Sequence, residues 1–351
     1  MAGWLAWDAG KVIRFEALRF LLLLHLAIGA ACSYGGAMKE SRTSLRVFLL
    51  LGVAMICWAG NPIVGRAIRD EIPPFTLAFG RWTIAFLLLL PFALRRIHTD
   101  WPTIREKWLW IVVLGLFGVT AFNTFLYMGL HYTTATNALL LQAGIPVLVV
   151  TLDRIIFGSR PHPWQAAGVA VSTLGVLWIV FRGDPAAAFA FRFGAGDLLV
   201  LASITAWSFY TVLLRKRPMI APLSFMTLTF AVGSITLAPF ALGEWLMGRR
   251  IVWGPAVPAA YAYVVLAASL VAYFIYNWSA VRLGPARAGQ ALTLMPLFGA
   301  LLSALLLGEQ LHTYHIAGMV FILGGIMMSA LSLRAEDTAG VRNRVPLEDA
   351  S

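Results

Sequence analysis

Polar side chains are scarce inside the long apolar runs of this 351-residue chain, and those that interrupt the runs are the ones with chemistry to offer. Arg81 stands seven residues past Pro74, in the stretch FGRWTIAFLLLLP, about 10 Å into a helix that starts at that proline. An arginine at that depth is costly against lipid and requires a polar cavity or a partner. Three roles stay open for it: neutralising the carboxylate of a bound solute, tying helices together through their carbonyls, or snorkelling to a headgroup. Asn61 precedes Pro62. Proline removes an amide donor and frees a carbonyl one turn back, which either opens an interrupted helix toward a ligand or merely kinks or ends it.

Two further polar faces share a design. Asn123 and Tyr127, with Thr124, lie four apart on one apolar segment, and Tyr273 and Asn277, with Tyr276, lie four apart on another; residues at that spacing share a helix face. They read equally well as the walls of a central cavity or as interhelical hydrogen bonds. Asn137 and Gln142 precede Pro146, and Gln290 and Thr293 precede Pro296, so amides flank two helix bends. Trp207 and Tyr210, with Trp58, supply an aromatic wall in one reading and interfacial anchors in the other. The candidate substrate-binding set is therefore Arg81, Asn61, Asn123, Tyr127, Asn137, Gln142, Trp207, Tyr210, Tyr273, Tyr276, Asn277 and Gln290. Glu309 reads as a cap or interfacial residue at a helix end, with proton coupling the alternative, Asp153 with Arg154 as an interfacial stop, and the glycines at 168, 175, 318, 324 and 325 as close helix contacts.

The elements that must position these residues are membrane-spanning helices. The chain is 60% hydrophobic and 12% charged, against about 25% charged in soluble domains. A net charge of +11 suggests nucleic acid at first sight, but the basic residues sit singly or in small groups between apolar runs rather than on a polar module. Ten segments are long and apolar enough to span: 47–65, 74–94, 108–129, 133–156, 163–181, 197–214, 222–242, 259–280, 286–307 and 312–333. From Lys39 onward, 17 lysines and arginines fall in loops on one side and 6 on the other, which puts both termini in the cytoplasm. Lys11, Arg14 and Arg19 precede an apolar run from Phe20 to Cys32 that looks like a signal-peptide core. Spanning by that run would reverse the charge asymmetry, so residues 1–44 are expected to be either an interfacial basic extension or the product of an upstream start, with the functional protein beginning at Met38. The tail at 335–351 is expected to be polar and cytoplasmic.

The second half copies the first. Pro74 and Pro91 match Pro222 and Pro239, and both stretches end in Pro-Phe-Ala-Leu; Pro146, Gly158, Gly168 and Gly175 match Pro296, Gly308, Gly318 and Gly325 at an offset of 150; Trp58 matches Trp207. Five spans per copy is an odd number, so the second copy enters the membrane from the opposite face. The expected fold is all-α and integral to the membrane, with ten transmembrane helices in two inverted-topology five-helix repeats at 45–182 and 195–334. Secondary transporters commonly use this plan, holding substrate between the halves near the midplane.

The Trp-Ala-Gly-Asn run at 58–61, Arg81 in its setting and the block GPARAGQALTLMPLFGALLSALLLGEQL from Gly284 to Leu311 resemble the drug/metabolite transporter superfamily, in its EamA-type branch of two five-helix units. The resemblance covers residues 45–333 and implies export or exchange of amino acids and related small solutes across a bacterial inner membrane. One departure is Ser159, which stands where the second copy has Glu309, so that glutamate has no counterpart in the first half. Partners are then a small-molecule substrate and the bilayer, without nucleic acid, in a monomer or homodimer. No Walker loop, zinc-protease pattern or nucleophile elbow occurs, and no cofactor or metal is expected. A membrane-embedded enzyme acting on a lipid-linked substrate is the rival, and it lacks a clustered acid, base or metal set. A non-transporting scaffold or receptor is the other, and it gives no reason for an inverted repeat.

Overall fold

The structure, a computed structural model, describes residues 40–133, 138, 141, 142, 144–184, 186, 194–295, 297–299 and 312–342. The expectations for residues 1–39, Asn137, Pro296, Gly308, Glu309 and the tail past 342 lie outside the described residues. Two compact units divide the chain at 1–47 and 48–351; of the first, only the helical course from Glu40 is described. Every regular element among the described residues is helical. They are α1 (Glu40–Ala59), α2 (Asn61–Ala67), α3 (Pro74–Gly115), α4 (Phe122–Tyr132), α5 (Ile145–Phe157), α6 (Pro163–Val180), α7 (Ala195–Leu213), α8 (Pro222–Leu246), α9 (Ala256–Ala262), α10 (Ala272–Leu283), α11 (Pro285–Ala291) and α12 (Thr313–Arg342). π-Helical stretches, Leu116–Ala121 and Tyr263–Val271, join α3 to α4 and α9 to α10.

Among the described residues, five helical stretches are long and apolar enough to cross a membrane: Leu49–Ala67, Pro74–Tyr132, Ala195–Lys216, Pro222–Leu246 and Ala256–Leu283. Pro163–Ile179 and Thr313–Ser329 are shorter apolar helices. The segments expected at 74–94 and 108–129 are parts of one 59-residue course, about 90 Å long where one crossing needs about 30 Å. Its regular geometry breaks at Lys107 (φ −117°, ψ 24°), after Pro91 and Pro102. Helix α12 runs to Arg342, past the point where the tail was expected to begin. The Asn61–Pro62 signal marks a restart: α1 stops at Ala59 and α2 begins at Asn61, with Pro62 in its first turn, where a missing amide costs nothing. A side chain on Gly60, at the break, would collide with the Tyr263 hydroxyl.

Three antiparallel contacts build the core. Helices α6 and α12 cross with Gly168 against Gly325 and Gly175 against Gly318; a Cβ on Gly175 would lie 2.7 Å from the Gly318 carbonyl. Only glycine permits that approach, and close packing of this kind is a main source of association between helices in lipid. Gly324, expected in the same role, faces open space. Helices α4 and α7 meet through Gly129 and Gly196 in the same manner. Helices α3 and α8 cap one another: Glu244, near the end of α8, accepts the Phe75 and Thr76 amides at 3.1 and 2.8 Å and the Thr76 hydroxyl at 2.8 Å. Asp100, within α3, accepts the Ala221 amide at 3.0 Å and the Ser224 hydroxyl at 2.6 Å. Each acid thus satisfies orphan amides at the other helix's positive end.

Candidate functional site

The π-helical stretches shape the centre of the molecule. Widening a helix by one residue takes carbonyls out of the ordinary ladder, and Gly118 and Ala268, 150 residues apart in the chain, offer theirs to side chains of the opposite half. The Gly118 carbonyl accepts the Tyr273 hydroxyl at 2.6 Å. The Ala268 carbonyl accepts Trp58 Nε1 at 2.8 Å and Arg81 Nη2 at 3.1 Å.

Arg81 is the hub. It is 1% exposed. Its Nε donates to Ser269 Oγ at 2.6 Å, and Nη1 reaches Asn123 Oδ1 at 2.9 Å, Tyr127 Oη at 2.7 Å and Asn61 Oδ1 at 3.2 Å. Its guanidinium carbon lies 4.5 Å from the centre of the Trp82 ring. Tyr127 donates in turn to Asn61 Oδ1 at 3.0 Å, and Asn123 Nδ2 donates to the Val119 carbonyl at 3.1 Å and Tyr273 Oη at 3.3 Å. Among the described residues every acceptor around this cation is neutral, and no carboxylate bonds to it. Burying a charge among dipoles alone is expensive, so the arrangement calls for a role.

Beside Arg81 lies a narrow pocket with a free volume of about 20 Å³, room for about one water molecule, so its walls must part to admit a solute. Trp58, Asn61, Phe122 and Gln142 line it from the first half of the chain, and Trp207, Tyr273, Leu292 and Met295 from the second. Trp58 packs edge-on to Trp207 (5.0 Å) and Tyr273 (5.4 Å), and Phe122 leans on Trp207 at 4.7 Å. Gln142 is buried with its Nε2 unbonded.

Of the sequence-expected residues, Arg81, Asn61, Gln142, Trp207 and Tyr273 thus meet at the pocket, with Asn123 and Tyr127 directly behind Arg81. Tyr210 bonds to Asn277, and Tyr276 shares a 2.9 Å bond with Thr211; these three residues form a buried layer behind Trp207 and do not line the pocket. Gln290 belongs elsewhere: its Nε2 donates to Ser172 Oγ and the Gly325 carbonyl, each at 3.1 Å, which fastens α11 to the α6–α12 crossing. Asp153 is a buried tie rather than an interfacial stop, because Oδ2 pairs with Arg215 Nη2 at 2.6 Å and accepts the Ser159 hydroxyl at 2.5 Å. Ser269, Glu244 and Asp100 escaped sequence reasoning. A lone serine in an alanine-rich run carries no signal, while Glu244 sits just past the end assigned to its segment.

The EamA-like transporter family model matches this chain twice, over residues 45–181 and 194–331. The chain belongs to the EamA-like transporter family. Its EamA repeats account for the duplicated prolines and glycines, and it is a membrane transporter. An uncharacterized transporter of Archaeoglobus fulgidus is 31% identical over 287 residues, covering 81% of this chain and 97% of its own length. YyaM, an uncharacterized transporter of Bacillus subtilis, is 25% identical over 66% of this chain and 76% of its own. A WAT1-related protein of Arabidopsis thaliana is 25% identical and covers 81% of both. A solved crystal structure aligns over 83% of this EamA chain and 98% of its own with a TM-score of 0.65 at 21% identity, a likeness of fold alone.

Proposed function

We propose that the protein is a secondary carrier that exports or exchanges small metabolites, such as amino acids and related solutes, across a bacterial inner membrane. Ten helices form two inverted five-helix repeats, both termini are cytoplasmic, and access to the central pocket alternates as the halves rock. The observation that carries the reading is Arg81: a buried cation on neutral acceptors, at a pocket walled by both halves. A structural arginine would sit as well in a sealed bundle. One that reaches a cavity between repeats is placed to meet a solute where transporters of this plan hold it.

Pseudo-equivalent residues that touch support a two-fold relation between the halves. Trp58 meets Trp207 at 5.0 Å, Trp82 meets Phe230 at 4.7 Å, and Ser172 Oγ lies 3.4 Å from the Ile322 carbonyl. The crosswise contacts of Gly168 with Gly325 and Gly175 with Gly318 follow from the same relation between antiparallel helices. Bonds from Arg81 to Ser269 and Ala268 join the halves, so a solute that competes for the guanidinium loosens this joint as it binds. The carrier's affinity thereby couples to its conformation.

Reconstituted proteoliposomes test this. From a panel of labelled amino acids and related metabolites, at least one should show saturable uptake and counterflow, both lost in Arg81→Ala. Flux that survives that substitution undiminished would remove Arg81 from the site.

A further inference from the structure

We infer that the pocket selects a small organic monoanion, a carboxylate on an apolar body, over the zwitterion of the same shape. The inference rests on the central pocket being the substrate site and concerns only what that site accepts.

The donor count comes first. A guanidinium has five N–H groups. In Arg81 the Nε proton goes to Ser269, the two Nη1 protons serve Asn61, Asn123 and Tyr127, and one Nη2 proton goes to Ala268. One Nη2 N–H is left over. Gln142 lines the same pocket, is 7% exposed and has an unbonded Nε2. Arg81 and Gln142 thus line one small space, and each has a donor with no partner among the described residues, one of them charged. A group with two acceptor oxygens and a negative charge satisfies both, and charge-assisted bonds of this kind are the strong ones.

The rest of the wall defines the ligand's other end. Trp58, Phe122, Trp207 and Tyr273 present rings, and Leu126 and Ile145 present aliphatic surface. With the walls parted, that lining suits a planar or branched hydrocarbon body and gives little to a second polar group. An α-ammonium would have to find acceptors here. Among the described residues no Asp or Glu lines the pocket, and the Asn61 oxygen already serves Arg81 and Tyr127. The ring faces attract a cation, but the Arg81 charge acts over the same few ångströms with the opposite sign, and desolvation weighs against a second positive group. A carboxylate without an ammonium meets none of these costs.

3-Phenylpropionate tests the inference, because phenylalanine adds only the ammonium and 3-phenylpropanamide removes only the charge. Equilibrium dialysis of labelled 3-phenylpropionate against the purified full-length protein at neutral pH should show saturable binding. Phenylalanine and the amide should compete about tenfold or more weakly. Arg81→Met should abolish binding. Because that change empties a hub of the fold, Gln142→Leu is the second variant; its Nε2 has no hydrogen-bond partner among the described residues, so the protein should fold normally and bind the carboxylate about tenfold more weakly. Equal competition by phenylalanine or the amide, unaltered binding by Gln142→Leu, or no binding of 3-phenylpropionate would each overturn the inference. Proteoliposome flux separates the two readings. Transport of zwitterions but not of the carboxylate leaves the carrier standing without the inference, while tight carboxylate binding without flux of any solute does the reverse.

Discussion

At the proposed site, one oxygen of Asn61 would set the charge that a ligand meets. Its Oδ1 accepts from both Arg81 and Tyr127, and as the first residue of α2 it occupies a position that favours negative charge. Asn61→Asp keeps both bonds and turns the Arg81 contact into an ion pair. The gain from a charge-assisted bond, about 1.5–3 kcal/mol, opposes the cost of burying a carboxylate, so stability should change by no more than about 1 kcal/mol. Binding should not survive so well. With Arg81 already paired, an anionic probe loses its attraction, and saturable binding of 3-phenylpropionate should weaken by tenfold or more. Dialysis on the folded variant, with its melting temperature alongside, measures both. Undiminished binding in a stable Asn61→Asp protein would mean that the charge of Arg81 is not what draws the ligand.

Among the elements, the α6–α12 crossing has the least tolerance. Gly175→Ala puts a methyl group 2.7 Å from the Gly318 carbonyl and equally close to Phe321 Cβ, so the helices must part, at about 1–3 kcal/mol. Gly324→Ala, one residue from Gly325, meets open space and should leave stability unchanged or raise it slightly through helix propensity. Thermal unfolding of the two variants in detergent should separate them by several degrees, and equal midpoints would show that the crossing is not close-packed. These glycines were legible in the sequence because duplication puts Gly168 and Gly175 in register with Gly318 and Gly325. Arg81, Asn61, Asn123 and Tyr127 were legible because polar residues in apolar helices have few places to go and i, i+4 spacing gathers them on a face. The Ala268 carbonyl and Ser269 were not. Their availability comes from a π-helical widening that alanine-rich sequence does not announce. The Glu244 and Asp100 caps were hidden for another reason: each bonds more than a hundred residues away, and nothing local marks it. Gln290 misled because an amide beside a proline looks alike whether it faces a cavity or fastens a glycine seam.

For the whole molecule, the proposed inversion has a consequence that loop accessibility reads directly. The stretch around His98 follows the second expected span and the stretch around Trp253 follows the seventh, so the two are near-equivalents in the repeat. In a tandem repeat without inversion they would face the same compartment. In the proposed plan of five spans per copy they face opposite ones, and by that proposal the excess of lysine and arginine puts His98 in the cytoplasm and Trp253 outside. Met219 and Asp184 extend the test to the cytoplasmic and outer loops that flank α7. All four side chains are exposed, so each accepts a reporter without disturbing the core. With Cys32 and Cys57 replaced by serine, a membrane-impermeant maleimide should label Trp253→Cys and Asp184→Cys in intact cells, and His98→Cys and Met219→Cys only after permeabilisation. Labelling of His98→Cys and Trp253→Cys from the same side would rule out inversion. The two-fold contacts Trp58–Trp207 and Trp82–Phe230 would then need another origin, and alternation by rocking of mirrored halves would lose its basis.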